Sequence, residues 1–261
     1  MKILFLGDVV GRAGRDAVKH WLPKLRSEFA PDGVIVNVDN AAGGFGISSE
    51  VLREFKSLNV DCLTGGDHVF DQKDALSLLA SEPKLLRPHN FPPSVAGTGC
   101  REYTLANGKK MVVLHLLGQV FHKEYLDSPF ACADAALAPY KLGANVDAIM
   151  VDMHAEATSE KMAMGHYLDG RVSLVVGSHT HVPTADCRLL PKATAYQTDA
   201  GMCGDYSSII GFEPTGPMQS FLNKTRKVRM EPASGPGTVC GCVVELGANG
   251  LAMSITPVQR T

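Results

Sequence analysis

Five short apolar runs in this chain each end in side chains that bind metals. They are Ile3-Leu4-Phe5-Leu6-Gly7-Asp8, Val34-Ile35-Val36-Asn37-Val38-Asp39-Asn40, Cys62-Leu63-Thr64-Gly65-Gly66-Asp67-His68, Ile149-Met150-Val151-Asp152-Met153-His154, and a run through Val172 and Val176 that continues into Gly177-Ser178-His179-Thr180-His181. Runs of this length bounded by Gly and polar residues read as strands buried on both faces. Such strands need helices packed over the sheet, so the feature restricts the chain to an α/β fold. In open α/β sheets, ligands bind beyond the carboxyl ends of the strands, so all five ends are expected to meet at one rim. His179 and His181, two residues apart beyond a strand end, point the same way and can hold metal.

The rest of the chain supplies the partners of these strands. A Gly-rich turn, 7–14, leads into a helix over Ala17, Val18, Trp21, Leu22 and Leu25. It lacks the glycine spacing of a dinucleotide fold and the Lys of a Walker loop. Ser48 caps a helix over Val51, Leu52, Phe55 and Leu58, and Asp71 opens another through Ala75, Leu78 and Leu79. Strands are expected at 2–6, 33–38, 60–64 and 85–86. A hairpin pairs 101–106 with 110–116 across Asn107-Gly108. Residues 118–130 read as an excursion before a helix at 131–140. A strand at 146–151 runs on to His154, and a helix through 161–164 precedes the strand at 172–176. A strand at 193–197 is followed by a Gly-containing loop at 198–204. Residues 228–230, 237–246 and 251–255 read as antiparallel strands. The expectation is one domain over 1–261, with mixed sheets and helices outside.

Size and charge narrow the function classes. The 261 residues can bury a substantial core, and a formal charge of −2 argues against an extended nucleic-acid footprint. A small nucleotide substrate stays open. No apolar run approaches the ~20 residues needed to cross a bilayer. The N-terminus enters a strand at once without the pattern of a signal peptide, so a cytoplasmic location is the default expectation. The seven cysteines are odd in number and scattered, which favours reduced, packed thiols over a disulfide framework.

Asp8, Asp39, Asn40, Asp67, His68, His154, His179 and His181 together form a mixed oxygen and nitrogen set. That set suits two divalent transition ions and is poor for calcium. Two ions about 3.5–4 Å apart can share a hydroxide that attacks phosphorus in line. The bland readings of the single residues, a helix cap for Asp8 or a turn for Asp39-Asn40, give way because five strand ends agree.

These residues resemble the calcineurin-like binuclear metallophosphoesterases. Gly7-Asp8-Val9-Val10-Gly11, Asp39-Asn40-Ala41-Ala42, Asp152-Met153-His154-Ala155-Glu156-Ala157-Thr158-Ser159-Glu160-Lys161 and Thr180-His181-Val182 with Thr184-Ala185-Asp186 resemble its bacterial YmdB-type branch. The resemblance implies a four-layer β-sandwich of mixed sheets flanked by helices, and two transition-metal ions, iron or manganese first and zinc allowed. It also implies phosphodiester hydrolysis, for this branch of 2′,3′-cyclic nucleotides. It places Asp8, Asp39, Asn40 and His181 on one ion. Asp39, Asp67, His154 and His179 fall on the other, with Asp39 bridging and His68 beside the scissile phosphate. His68 then either donates to the leaving oxygen or stabilises phosphoryl charge. Val10 stands where the wider superfamily has His, as it does in the narrower branch. Asp39 stands where the branch usually has Glu, and Asp67 where it usually has Asn. Those acids leave room for a weakly active regulatory or RNA-associated binding protein on the same fold. A metal amidohydrolase also uses His-x-His but places it early in the chain. A homo-oligomer is compatible with the sequence, and no membrane partner is expected.

Overall fold

In the computed structural model the described residues are 1–122, 126–224 and 230–261. Two mixed sheets face one another. The first contains β1 (Lys2–Leu6), β2 (Asp8–Val9), β3 (Gly33–Asn37), β4 (Cys62–Thr64), β5 (Leu85–Leu86), β12 (Met202–Asp205), β13 (Gly237–Leu246) and β14 (Ala252–Arg260), ordered β2-β12-β13-β1-β3-β4-β5 with β14 paired to β13. The β1-β3-β4-β5 half is parallel, and β13 runs antiparallel to β1. The second sheet is ordered β10 (Arg188–Leu189), β11 (Ala195–Gln197), β9 (Leu174–Ser178), β8 (Ala148–His154), β7 (Lys110–Leu117) and β6 (Cys100–Thr104). Its β7, β8, β9 and β11 are parallel, while β6 and β10 are antiparallel edges.

Alternation along these strands divides the apolar residues between two faces. Ile3, Phe5, Ile35, Val113, Met150, Leu174, Val176 and Val244 fill the space between the sheets. The opposite face of the first sheet, through Leu4, Leu6, Val34 and Val36, packs on α1 (Gly11–Phe29) and α2 (Ser49–Ser57). The opposite face of the second, through Val112, Leu114, Val151 and Val175, packs on α4 (Pro129–Leu137) and α5 (Thr158–Tyr167). Each fully buried Leu, Ile or Phe here contributes about 1.5–3 kcal/mol relative to exposure. The result is the expected helix–sheet–sheet–helix layering. All seven cysteines are free thiols. Among the described residues no helix is long and apolar enough to cross a membrane.

Several boundaries differ from the sequence reading. Asp71 does not open a helix: α3 is Ala75–Ser81 and follows Asp74. The stretch read as a loop after Gly201 becomes β12, because Met202 and Cys203 pair with Asp8 and Val9 while Gly204 and Asp205 pair with β13. A helix, α6 (Thr215–Asn223), carries too little periodic burial to be seen in the sequence; only Pro217 is buried. The expected strand at 228–230 lies mostly outside the described residues, as does part of the 118–130 excursion.

Candidate metal centre

The five strand ends meet at one edge of the sandwich. The carboxyl ends of β1, β3 and β4 deliver Asp8, Asp39-Asn40 and Asp67-His68. The last residue of β8 is His154, and β9 runs directly into His179-Thr180-His181. Gly66 is required by this convergence, since a Cβ there would overlap the His154 ring.

The imidazoles show which nitrogens face inward. Ser178 Oγ donates to Asp152 Oδ1 at 2.6 Å, so His154 Nδ1, 2.9 Å from the same oxygen, must be the donor to it. That leaves His154 Nε2 facing Asp67 Oδ1 at 3.1 Å and His179 Nδ1 at 3.2 Å. His179 Nε2 lies 3.1 Å from Glu156 Oε2, which makes it the donor and again turns Nδ1 inward, 3.4 Å from Asp67 Oδ1. His181 Nδ1 donates to the Ile210 carbonyl at 2.7 Å, and its Nε2 sits 3.1 Å from Asn40 Oδ1. All three rings therefore donate outward and present lone pairs to other acceptors. Such facing acceptors repel unless a proton or metal cation lies between them.

The carboxylates tell the same story. Burial pushes Asp8 up to about 7, with Asp199, Asp152 and Asp39 adding to the rise and His154 opposing it. Burial acts to lower His154, but hydrogen bonds to Asp39 and Asp67 and the charge of Asp8 raise it well above the usual imidazole range. Burial would raise Asp67, yet hydrogen bonds from His154 and His179 hold it below the usual carboxylate range. These opposed shifts mark a cluster whose charges a divalent cation would balance. Donor atoms of Asp67, His154 and His179 converge within 4.8 Å, as do those of Asp39, Asp67 and His68. The donor set fits borderline divalent ions.

Six of the eight expected residues are joined by contacts within this cluster, and Asn40 and His181 pair with each other on the same cavity. Asp8 accepts from the His179 backbone N–H at 3.2 Å and lies 3.7 Å from His154 Nδ1. Asp39 accepts from the His68 backbone N–H at 3.0 Å and lies 3.5 Å from His154 Nε2. His68 is half-buried, with Nδ1 on Asp71 at 2.8 Å. A cavity of about 360 Å³ opens beside Asp39, Asn40, His68, His179 and His181. Arg12, which could have met a phosphate, instead lines a separate cavity along α1, and Arg171 pairs with Asp134.

Sequence reasoning missed the supports. Glu156 and Asp71 read as helix-start acids but hold His179 and His68. Buried Asp152 accepts from Asn37 Nδ2, Thr64 Oγ1 and Ser178 Oγ and lies 3.2 Å from His115 Nδ1. An acid inside the apolar run 149–153 was the available signal for it. His179 and His181 have φ of 97° and 65°, left-handed conformations that cost about 1–3 kcal/mol each. Asp199 holds this loop: its Oδ2 accepts from Thr180 N, Thr180 Oγ1 and Lys161 Nζ, and its Oδ1 from Gly201 N.

The sequence model of the YmdB-like protein family matches residues 4–258. The chain belongs to the YmdB-like family. It is 43% identical over 246 residues to a Bacillus subtilis (strain 168) protein named 2′,3′-cyclic-nucleotide 2′-phosphodiesterase, covering 94% of this chain and 91% of that one. A solved protein of Thermus thermophilus superposes with a TM-score of 0.92 at 39% identity, covering 100% of this chain and 99% of that one. A Mycoplasma pneumoniae structure described as a novel phosphatase gives a TM-score of 0.92 at 32% identity, covering 100% and 93%. Membership of the YmdB-like family carries the expectation of divalent metal ions, which the inward-facing donors fit.

Proposed function

We propose that this chain is a divalent-metal-dependent hydrolase that opens 2′,3′-cyclic nucleotides at the 2′ position. The observation that carries the reading is the set of three imidazoles, each donating outward and each turning a lone pair toward carboxylate or amide oxygens. Asp8, Asp39, Asn40 and His181 would hold one ion, and Asp39, Asp67, His154 and His179 a second; the ligand types suit borderline divalent ions, and the family resemblance puts iron or manganese first. Bound there, the ions would supply an activated water and neutralise the phosphoryl oxygens. The protein side chains do the remainder. Asp71 fixes the His68 ring through Nδ1, which turns Nε2 toward the cavity. Burial lowers His68, but in the metal-free site Asp39, Asp67 and Asp71 outweigh it and raise the ring above its ordinary value; with ions on Asp39 and Asp67, Asp71 is the acid left to support the proton. His68 is thereby placed to give a proton to the departing 2′-oxygen, leaving a 3′-phosphate.

The test is hydrolysis of 2′,3′-cyclic AMP and bis-p-nitrophenyl phosphate by protein reconstituted with manganese or iron. Both activities should disappear on chelation and return with metal, and the nucleotide product should be the 3′-phosphate. Activity that survives thorough chelation, or none with either metal, would reject the reading and favour a binding protein.

A further inference from the structure

Residues 209–212 form a two-residue hairpin turn at the rim of the metal centre. Ile209 N donates to Phe212 O and Phe212 N to Ile209 O, both at 3.0 Å. The central residues Ile210 and Gly211 have φ of 47° and 93°, a type I′ arrangement. Asn, Asp or Gly normally fill the first central position, because a β-branched side chain is crowded in left-handed backbone. Ile210 is also 43% exposed, so core packing does not compensate. What His181 takes from this residue is the backbone carbonyl, which any side chain would leave in place. The Ile side chain therefore answers to something else.

Ile210 lines the 360 Å³ cavity together with Phe45 and Met230, facing the imidazoles and Asp39. Phe45 is held edge-on to His68, with ring centroids 5.0 Å apart. Among the described polar side chains at this rim, Thr180 Oγ1 donates to Asp199 and Glu156 Oε2 accepts from His179.

We propose that Ile210, Phe45 and Met230 form a subsite for the nucleoside part of the substrate, with Ile210 the specificity-determining residue. This rests on the phosphodiesterase reading. With the phosphate at the metal centre, the base lies on this wall and is held by apolar contact rather than read by hydrogen bonds. Apolar contact of this kind discriminates weakly between bases, so purine and pyrimidine cyclic nucleotides are both substrates.

The experiment compares wild type with Ile210→Asn and Ile210→Val. Asn suits the turn, so its melting temperature should rise. Its KM for 2′,3′-cyclic AMP and 2′,3′-cyclic CMP should increase about five- to tenfold, with little change in kcat. Inhibition by 3′-AMP should weaken, while inhibition by inorganic phosphate stays at the wild-type level. Ile210→Val, which keeps the branched wall, should retain the wild-type KM. An Asn variant with unchanged KM, or with a lowered melting temperature, would overturn the subsite and leave the phosphodiesterase reading standing. Wild type inactive on both cyclic nucleotides but active on bis-p-nitrophenyl phosphate would overturn the cyclic-nucleotide substrate and the subsite together.

Discussion

Replacing His68 with Ala is expected to lower kcat for phosphodiester hydrolysis by about 10²- to 10⁴-fold, with bound metal unchanged. The outward nitrogen of the ring is tied to an exposed acid, Asp71, and the ring borders the cavity. Its backbone N–H, not its side chain, supports Asp39. Truncation therefore removes a proton donor at the cavity while leaving the proposed bridging carboxylate in place. A group acting in the transition state lowers kcat and kcat/KM together and leaves KM nearly fixed. Asp71→Asn should give a smaller loss in the same direction, because the ring stays present but is oriented less firmly. Steady-state kinetics on 2′,3′-cyclic AMP separate these effects. A His68→Ala enzyme with wild-type kcat would remove His68 from the chemistry.

Lys161→Met is expected to destabilise the fold by about 3–5 kcal/mol. Lys161 Nζ donates to Asp199 Oδ2 at 2.8 Å, and both residues are fully buried. Removing one partner leaves a buried carboxylate without its cation, which is the costly half of such a pair. The same carboxylate holds Thr180 between the two left-handed residues His179 and His181. Activity should fall with stability. Replacing both Lys161 and Asp199 with apolar residues should recover much of the stability, since an apolar pair removes the unpaired charge. It should not recover activity, because Thr180, between the two strained histidines, then loses the carboxylate that holds it. Urea unfolding with an unchanged slope and a shifted midpoint measures the first effect. A wild-type midpoint for Lys161→Met would show that the pair does not secure the loop.

The sequence carried the parts of this architecture that depend on local pattern. Runs such as 149–153 and 172–176 are apolar because both sides of their strands are covered, and that burial is written directly in composition. The expected ligands followed from position, because Asp8, Asp67 and His154 each stand where an apolar run stops. The supports did not. Lys161 looks like a solvated helix residue until α5 is packed on β9, and only then does it face Asp199 across 38 positions of chain. Residues 198–204 read as a glycine-containing loop because the strand character of Met202–Asp205 comes from pairing with Asp8-Val9 on one side and β13 on the other. Glu156 and Asp71 have sequences suited to helix starts, and only the folded rim shows that each reaches an imidazole. In each case the missing information is a long-range contact, which no local period encodes.

The central claim is that these strand ends hold a pair of divalent cations with Asp39 shared between them. The most direct measurement is metal content per chain, by plasma mass spectrometry, after manganese reconstitution and desalting of wild type, His68→Ala and Asp39→Ala. The expected result is about two ions per chain in wild type and in His68→Ala, and loss of both from Asp39→Ala, whose carboxylate each ion needs. Wild type that retains no metal, or Asp39→Ala that retains the full complement, would contradict the account.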